Sequence, residues 1–457
     1  MYRILAAAAV VMILPTTAPA GPLTAQQGAA IDASVGEWLA KTGAPSVSIA
    51  VVEGGEIAYA KAYGMARLDT RQAATPTTRY AIDSVSKEFT ASAMLMLRED
   101  GRLSLDDKVA KFFPALAGAD KVSLRQILSH TAGYRDYWPQ DFVTAEMTRP
   151  VSTQALMDEW AKKPLDFEPG TAWQYSNTGF VVAGAIVEKV SGQPLVTFLR
   201  SRVFGPLHMD RVTEDDTGPL TGADAAAYTR YGQGPVRPAL KEGAGWLFAA
   251  GELAMEPSDL ARWDISLMNR SLMGPASYDA LYDSVKLKSG EDTHYSLGLG
   301  VKDDHGRLVL SHGGGGSGFL AANVIWPGDK VAVMAFTNND WASPGGVVER
   351  VAYVVLKPTP AEARARRVFA DFQRGAVDRS LFTDNGDFYL TPAVLVDQQA
   401  GLGPLGPVRA FRLEDESRRG GLETRIWKVT TAKATLNVVE RGYPDGKLEQ
   451  FMISRAD

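Results

Sequence analysis

The chain has 457 residues, 45% of them hydrophobic and 22% charged, with a formal net charge of −5; such a length fits one large or two ordinary globular domains. Mild acidity without a long basic run excludes nucleic acid and anionic lipid as partners and leaves a small neutral or polar substrate. With no cysteine in the chain, a disulfide framework, a thiol nucleophile and a lipid-modified N-terminal cysteine are excluded too.

In chain order, residues 1–20, MYRILAAAAVVMILPTTAPA, run from Arg3 through an apolar stretch to the A-x-A pattern ending at Ala20. This reads as a signal peptide cleaved after Ala20, so the expected localisation is exported, periplasmic or secreted. An apolar run of about ten residues is too short to span a bilayer, and no later segment is long enough, so no integral membrane segment is expected after cleavage. From Ser46, SVSIAVVEGGEIAYAKAYG alternates, breaks at Gly54-Gly55 and resumes, which predicts a β-hairpin. From Ser84 to about residue 250 the pattern is mainly helical, as in KEFTASAMLMLRED and NTGFVVAGAIVEKVSG; strand signals return in YSLGLGV, RLVLSH, FLAANVIW and KVAVMAFTN. Strands at both ends and helices between predict an α/β domain over residues 21–357, a mixed antiparallel sheet flanked by helices with an all-helical insertion. LKPTP, residues 356–360, is a break; beyond it one helix and the strands TRIWKV, ATLNVV and LEQFMIS predict a small α+β domain over residues 358–457.

The chain lacks G-x-S-x-G, H-E-x-x-H and phosphate-loop patterns, and its five histidines are scattered, so neither a metal nor a cofactor is expected. DSVSKEF sets Ser84 and Lys87 three apart at the start of a helix, on one face and one turn apart. A lysine whose pKa is lowered by burial can take a serine's proton, and a helix N-terminus offers an NH to an oxyanion; an exposed helical Ser and Lys is the alternative. WQYSNTGF sets Tyr175 and Asn177 two apart, fit for proton relay and for amide donation to a substrate, or else for side-packing and a helix cap. SHGGGGSGF, residues 311–319, lies between strand signals and lacks a Lys-Ser/Thr. It is therefore neither linker nor phosphate loop, and reads as an edge strand beside a bound acyl group, its glycines marking a close approach by a ligand.

Together and in this order, these stretches resemble the serine β-lactamase and penicillin-binding-protein superfamily, in the branch of class C β-lactamases, D,D-peptidases, D-aminopeptidases and related esterases. S-x-x-K falls on Ser84 and Lys87, Y-x-N on Tyr175 and Asn177, and K-T-G or H-x-G on His312, Gly313 and Gly314. LSHTAGY, residues 128–134, and AAGELAMEPSDLARW are similar to further family segments, so the resemblance covers about Ile31 to Leu356.

The resemblance implies an acyl-enzyme on Ser84, with Lys87 and Tyr175 sharing the acid and base work, and an oxyanion hole from the backbone NH groups of Ser84 and Gly315. It makes Asn177, His312 and Gly314 substrate-binding residues: Asn177 on the substrate amide or the Lys87 amine, and His312 on the leaving side or, if charged, on a carboxylate. Where β-lactamases usually carry K-T-G, this chain has a neutral-leaning histidine and no hydroxyl, which shifts the expectation from β-lactamase toward peptidase, amidase or esterase. His130 reads as structural, and the aromatics of YRDYWPQDF as cleft lining or packing. The C-terminal domain loosely resembles NTF2-like accessory domains in RGAVDRSLFT and GYPDGKLEQFMI. The implied protein is an exported serine hydrolase acting on small or D-residue-containing peptides, with a class C-like β-lactamase or carboxylesterase as alternative. A non-catalytic sensor of peptides or wall fragments is the competing class; the presence of Ser84, Lys87, Tyr175 and Asn177 together speaks against it. The partner is then a small-molecule or peptide substrate, and the oligomeric state stays open.

Overall fold

The computed structural model describes residues 23–456 except 141, 219 and 305; the expected signal peptide and His305 lie outside the described residues. Internal contacts divide the chain into two compact units, Met1–Val355 and Leu356–Asp457.

In the first unit, strand β1 (Ser46–Glu53) turns at Gly54 and Gly55, with φ 62 and 87, into β2 (Glu56–Arg67). Two consecutive left-handed residues are what a tight hairpin turn needs, and glycine takes them without a steric penalty. The remaining strands of this sheet are β3 (Gln72–Ala73), β4 (Gly300–Asp303), β5 (Leu308–Gly316), β6 (Phe319–Trp326) and β7 (Val331–Thr337). Their order is β3-β2-β1-β7-β6-β5-β4, antiparallel throughout. The pairing of β1 with β7, Val47 opposite Thr337 and Val51 opposite Val333, joins the two ends of the unit. Every residue of β7, and all of β1 but its last, is buried, so both faces of the sheet centre are covered. Helices α1 (Ala25–Thr42) and α5 (Gly345–Val355) pack together and on β2, β6 and β7, and α4 (Pro257–Asn269) packs on β1, β2 and β7.

The insertion centres on α2 (Ser86–Glu99), buried on every side from Ser86 to Leu97, and α3 (Asn177–Ser191) packs against it. It is mainly but not wholly helical: Tyr80–Ala81, Leu253–Met255 and Thr213–Glu214 form a small sheet of their own, and Tyr228–Thr229 pairs with Arg237–Pro238. YSLGLGV also departs from expectation, since only its end enters β4. Gly298, at φ 78, bends the chain against the Lys87 carbonyl, and the Ser296 hydroxyl is held by the Leu281 carbonyl.

The second unit has helices α6 (Pro360–Gln373) and α7 (Pro392–Leu402) and a four-stranded antiparallel sheet, β8 (Val408–Arg419), β9 (Leu422–Thr431), β10 (Thr435–Gly442) and β11 (Leu448–Arg455). Its own core includes Phe369, Phe372, Phe411, Trp427 and Val438. Strand β10 alternates half-buried and buried residues along its whole length, as expected of a sheet covered on one face.

Candidate active site

Ser84 lies in a single 3-10 turn, Asp83–Val85, directly before α2. Asp83 holds φ 45, a left-handed conformation that costs a non-glycine residue on the order of 1 kcal/mol and is tolerated best by Asp and Asn. The glycine strand explains how this turn is approached. None of Gly313 to Gly316 has a positive φ, so glycine is there for room. A Cβ on Gly314 would stand 2.0 Å from the Ile82 carbonyl oxygen, and one on Gly316 would stand 2.3 Å from Asp83 Oδ1. The backbone of β5 therefore lies directly on the turn that carries Ser84. Pairing of β5 with β4 stops at Ser311 opposite Gly300, whereas pairing with β6 continues to Gly316. The outer edge of His312–Gly316 is thus left without a strand beside Ser84.

Lys87, one helical turn on, is fully buried, and its Nζ donates to Ser84 Oγ at 2.9 Å, Asn177 Oδ1 at 2.8 Å and the Ala250 carbonyl at 2.7 Å. The ring of Tyr175 lies 4.9 Å from the same nitrogen. Burial pushes the Lys87 amine down to about 7, against the opposing pull of Asp136 and Asp83. Near neutral pH a large share is therefore the free amine, which accepts the proton of a hydroxyl at this distance.

Asn177 opens α3, but the cap is Ser176, whose hydroxyl accepts from the Gly179 NH. Asn177 instead points its oxygen at Lys87 and gives its backbone NH and amide nitrogen to Asp136 Oδ1 at 3.1 and 3.2 Å. Of the two contacts foreseen for Asn177, the structure contains the one to the lysine amine. Asp136 was not picked out from the sequence; a lone acid inside the aromatic run YRDYW was its only signal. The aromatics Tyr134, Tyr137 and Trp138 of that run are all buried, and Tyr137 and Trp138 also line a hollow at Ser84.

His130, at φ 58, accepts from the Ser176 NH at Nδ1, and its ring lies 4.3 Å from that of Tyr175. Burial and the Lys87 charge keep it neutral, well below the usual histidine range. It braces the segment 174–176 and lines neither hollow at Ser84. His312 is also buried; its Nδ1 donates to the Gly313 carbonyl at 2.6 Å, which leaves Nε2 to accept from Tyr295 Oη at 2.8 Å. Burial and the Lys87 charge push its pKa down to about 3, so the charged form foreseen as one option is not populated near neutrality.

Two hollows meet at Ser84. One, of about 60 Å³, is lined by Asp83, Tyr137, Trp138, Leu247 and Gly316 among others. The other is an open cleft of about 660 Å³ bordered by Trp173, Tyr175, Tyr295, His312, Gly314 and Gly315. Among the described residues no group of His, Asp and Glu is arranged to hold a metal ion. The constellation is thus a hydroxyl, a buried amine to deprotonate it and an unpaired strand edge beside both, which suits acyl transfer.

Comparison with known proteins agrees with this chemistry. Penicillin-binding protein 4* of Bacillus subtilis (strain 168) is 26% identical over 359 residues, 75% of this chain and 79% of that protein. The D-stereospecific amidohydrolase from Streptomyces sp. superposes with TM-score 0.62 at 26% identity, covering 70% of this chain and 97% of that one. The octameric penicillin-binding protein homologue from Pyrococcus abyssi shares the fold, with TM-score 0.64 at 19% identity over 93% of this chain and 100% of that one. The Beta-lactamase family profile matches residues 30–352, a span that contains Ser84, Lys87, Tyr175, Asn177 and the glycine strand, and the chain belongs to this family of serine hydrolases.

Proposed function

We propose that the protein is an exported hydrolase that cleaves an amide or ester through an acyl-enzyme on Ser84, with small or D-residue-containing peptides as substrates. The observation that carries this reading is the buried Lys87 amine, pushed down to about 7 and 2.9 Å from Ser84 Oγ. As Oγ attacks the carbonyl, Lys87 takes its proton; the backbone NH groups of Ser84 and Gly315 hold the oxyanion; and Tyr175 passes a proton to the leaving group. Asn177, fixed by Asp136, keeps the amine aimed at Ser84. The D-residue preference rests on the D-stereospecific amidohydrolase from Streptomyces sp., and export rests on the pattern of residues 1–20. β-Lactams fit less well, because neutral His312 offers their carboxylate no cation.

The test is to incubate wild type and Ser84→Ala separately with a fluorophosphonate and a fluorescent penicillin, then digest and map the adducts by mass spectrometry. Ready phosphonylation of Ser84, slow or no penicilloylation, and no adduct in the variant are expected. An unmodified Ser84, with no turnover of ester or peptide libraries, rejects the hydrolase reading.

A further inference from the structure

The hydrogen bonds of Asp136 go to Asn177 and Trp138, and through the first of these it bears on Lys87. The residue is 9% exposed. Its Oδ1 accepts from the Trp138 NH at 3.2 Å, the Asn177 NH at 3.1 Å and the Asn177 amide nitrogen at 3.2 Å, and its Oδ2 stands 3.3 Å from that same amide nitrogen. Every partner is a donor, which suits a carboxylate. Burial pushes the carboxyl up, whereas these NH groups and the Lys87 charge pull it back down.

We propose that Asp136 is the positioning residue of the base: it fixes which end of the Asn177 amide faces Lys87, and so points the lone pair of the free amine at Ser84. From the same place, its charge sets the pH range in which the enzyme works. The inference rests on the Ser84 acyl-enzyme reading and adds to it what governs the base.

A free amine has two N–H bonds and one lone pair. Three oxygens surround Lys87 Nζ, those of the Ser84 hydroxyl, the Asn177 amide and the Ala250 carbonyl. The amide and carbonyl oxygens only accept, so they take the two hydrogens, and the lone pair is left for the Ser84 hydroxyl proton. This division holds only while the oxygen of Asn177, and not its nitrogen, faces Lys87. A reversed amide would donate to the lone pair in competition with Ser84, and would set its own oxygen against the Asp136 carboxylate. The carboxylate therefore excludes the reversed form.

The groups around Lys87 also differ in charge. His130 and His312 are neutral, Tyr175 and Phe180 present their rings at 4.9 and 5.5 Å, and Glu88 is turned to Trp263 and Asn323. Only Asp136 and Asp83 oppose the burial that frees the amine, Asp136 the more strongly. Asp83 is itself raised well above the usual carboxylate range by burial, Glu242 and Asp215, so Asp136 is the main counter-charge. Without it, burial acts with less opposition and the amine is free at lower pH.

The test measures the rate of fluorophosphonate labelling of Ser84 from about pH 5 to about pH 9 in wild type, Asp136→Asn and Asp136→Ala. Asparagine keeps an acceptor for the three bonds on Oδ1 and removes the charge, so the midpoint of its rise is expected at a pH at least about 0.5 lower than in wild type. Alanine releases the amide as well, and its plateau rate is expected at least about tenfold below that of Asp136→Asn. A merely structural role would lower rates without moving the midpoint. An unchanged or raised midpoint in Asp136→Asn, or a plateau in Asp136→Ala no lower than in Asp136→Asn, would overturn the proposal; if the alanine variant does not fold, the midpoint of Asp136→Asn decides alone. A wild-type Ser84 that does not label, or labels at a rate independent of pH, would instead remove the reading beneath it.

Discussion

His312 shows how one side chain divides neighbouring chemistries. With Nδ1 donating to the Gly313 carbonyl and Nε2 accepting from Tyr295, it is a neutral wall of the large cleft, pushed down to about 3. The resemblance implies that a β-lactam carboxylate would meet residue 312; if it does, His312→Lys offers it an amine, and acylation by a fluorescent penicillin is expected to rise at least about tenfold, a gain of 1.4 kcal/mol. An unchanged rate would mean that residue 312 does not meet the carboxylate. Ser84, Lys87, Tyr175, Asn177 and His312 were legible in the sequence because each sits in a short motif. Asp136, the Ala250 carbonyl and Tyr295 were not, because they meet the motifs only through folding: 41 residues separate Asp136 from Asn177, and 163 separate Ala250 from Lys87.

Among the elements, the glycine strand and the Ser84 turn form the tightest fit in the site. Four glycines inside a strand pattern made a close approach legible, but the sequence reading assigned it to a ligand, whereas what crowds Gly314 and Gly316 is the protein's own Ile82–Asp83 turn. Gly314→Ala would drive a Cβ to 2.0 Å from a carbonyl oxygen that has no flexible side chain to yield, whereas at Gly313 the nearest atom is 3.8 Å away. Gly314→Ala is therefore expected to lower thermal stability by about 1–3 kcal/mol and Ser84 labelling by at least about tenfold. Gly313→Ala should leave both near wild type; equal behaviour of the two variants would show that β5 does not rest on the turn. Strand β8 was missed in the sequence because RAFRLEDESRR is dominated by charge, and of its residues only Phe411 is buried.

At the scale of the molecule, the sheet is closed by β1 and β7 from opposite ends of the first unit, and the site lies where the β5 edge meets α2 and α3 of the insertion. Strand patterns at both ends made this closure legible in advance. The small strand pairs within the insertion were not, since two- and three-residue strands leave no periodicity to read. The nucleophile and its base come from one segment, the amide that orients the base from a second and the glycine strand from a third. The site therefore exists only in the folded unit, and burial there gives Lys87 its unusual acidity. Below about pH 7 the ammonium has no lone pair to accept the Ser84 proton, and above it the free amine does. The most direct measurement is the rate of fluorophosphonate modification of Ser84 across this range: it should climb with pH and level off above about 7. A rate that stays flat or falls through that value, or an adduct on any residue other than Ser84, would contradict a serine activated by buried Lys87.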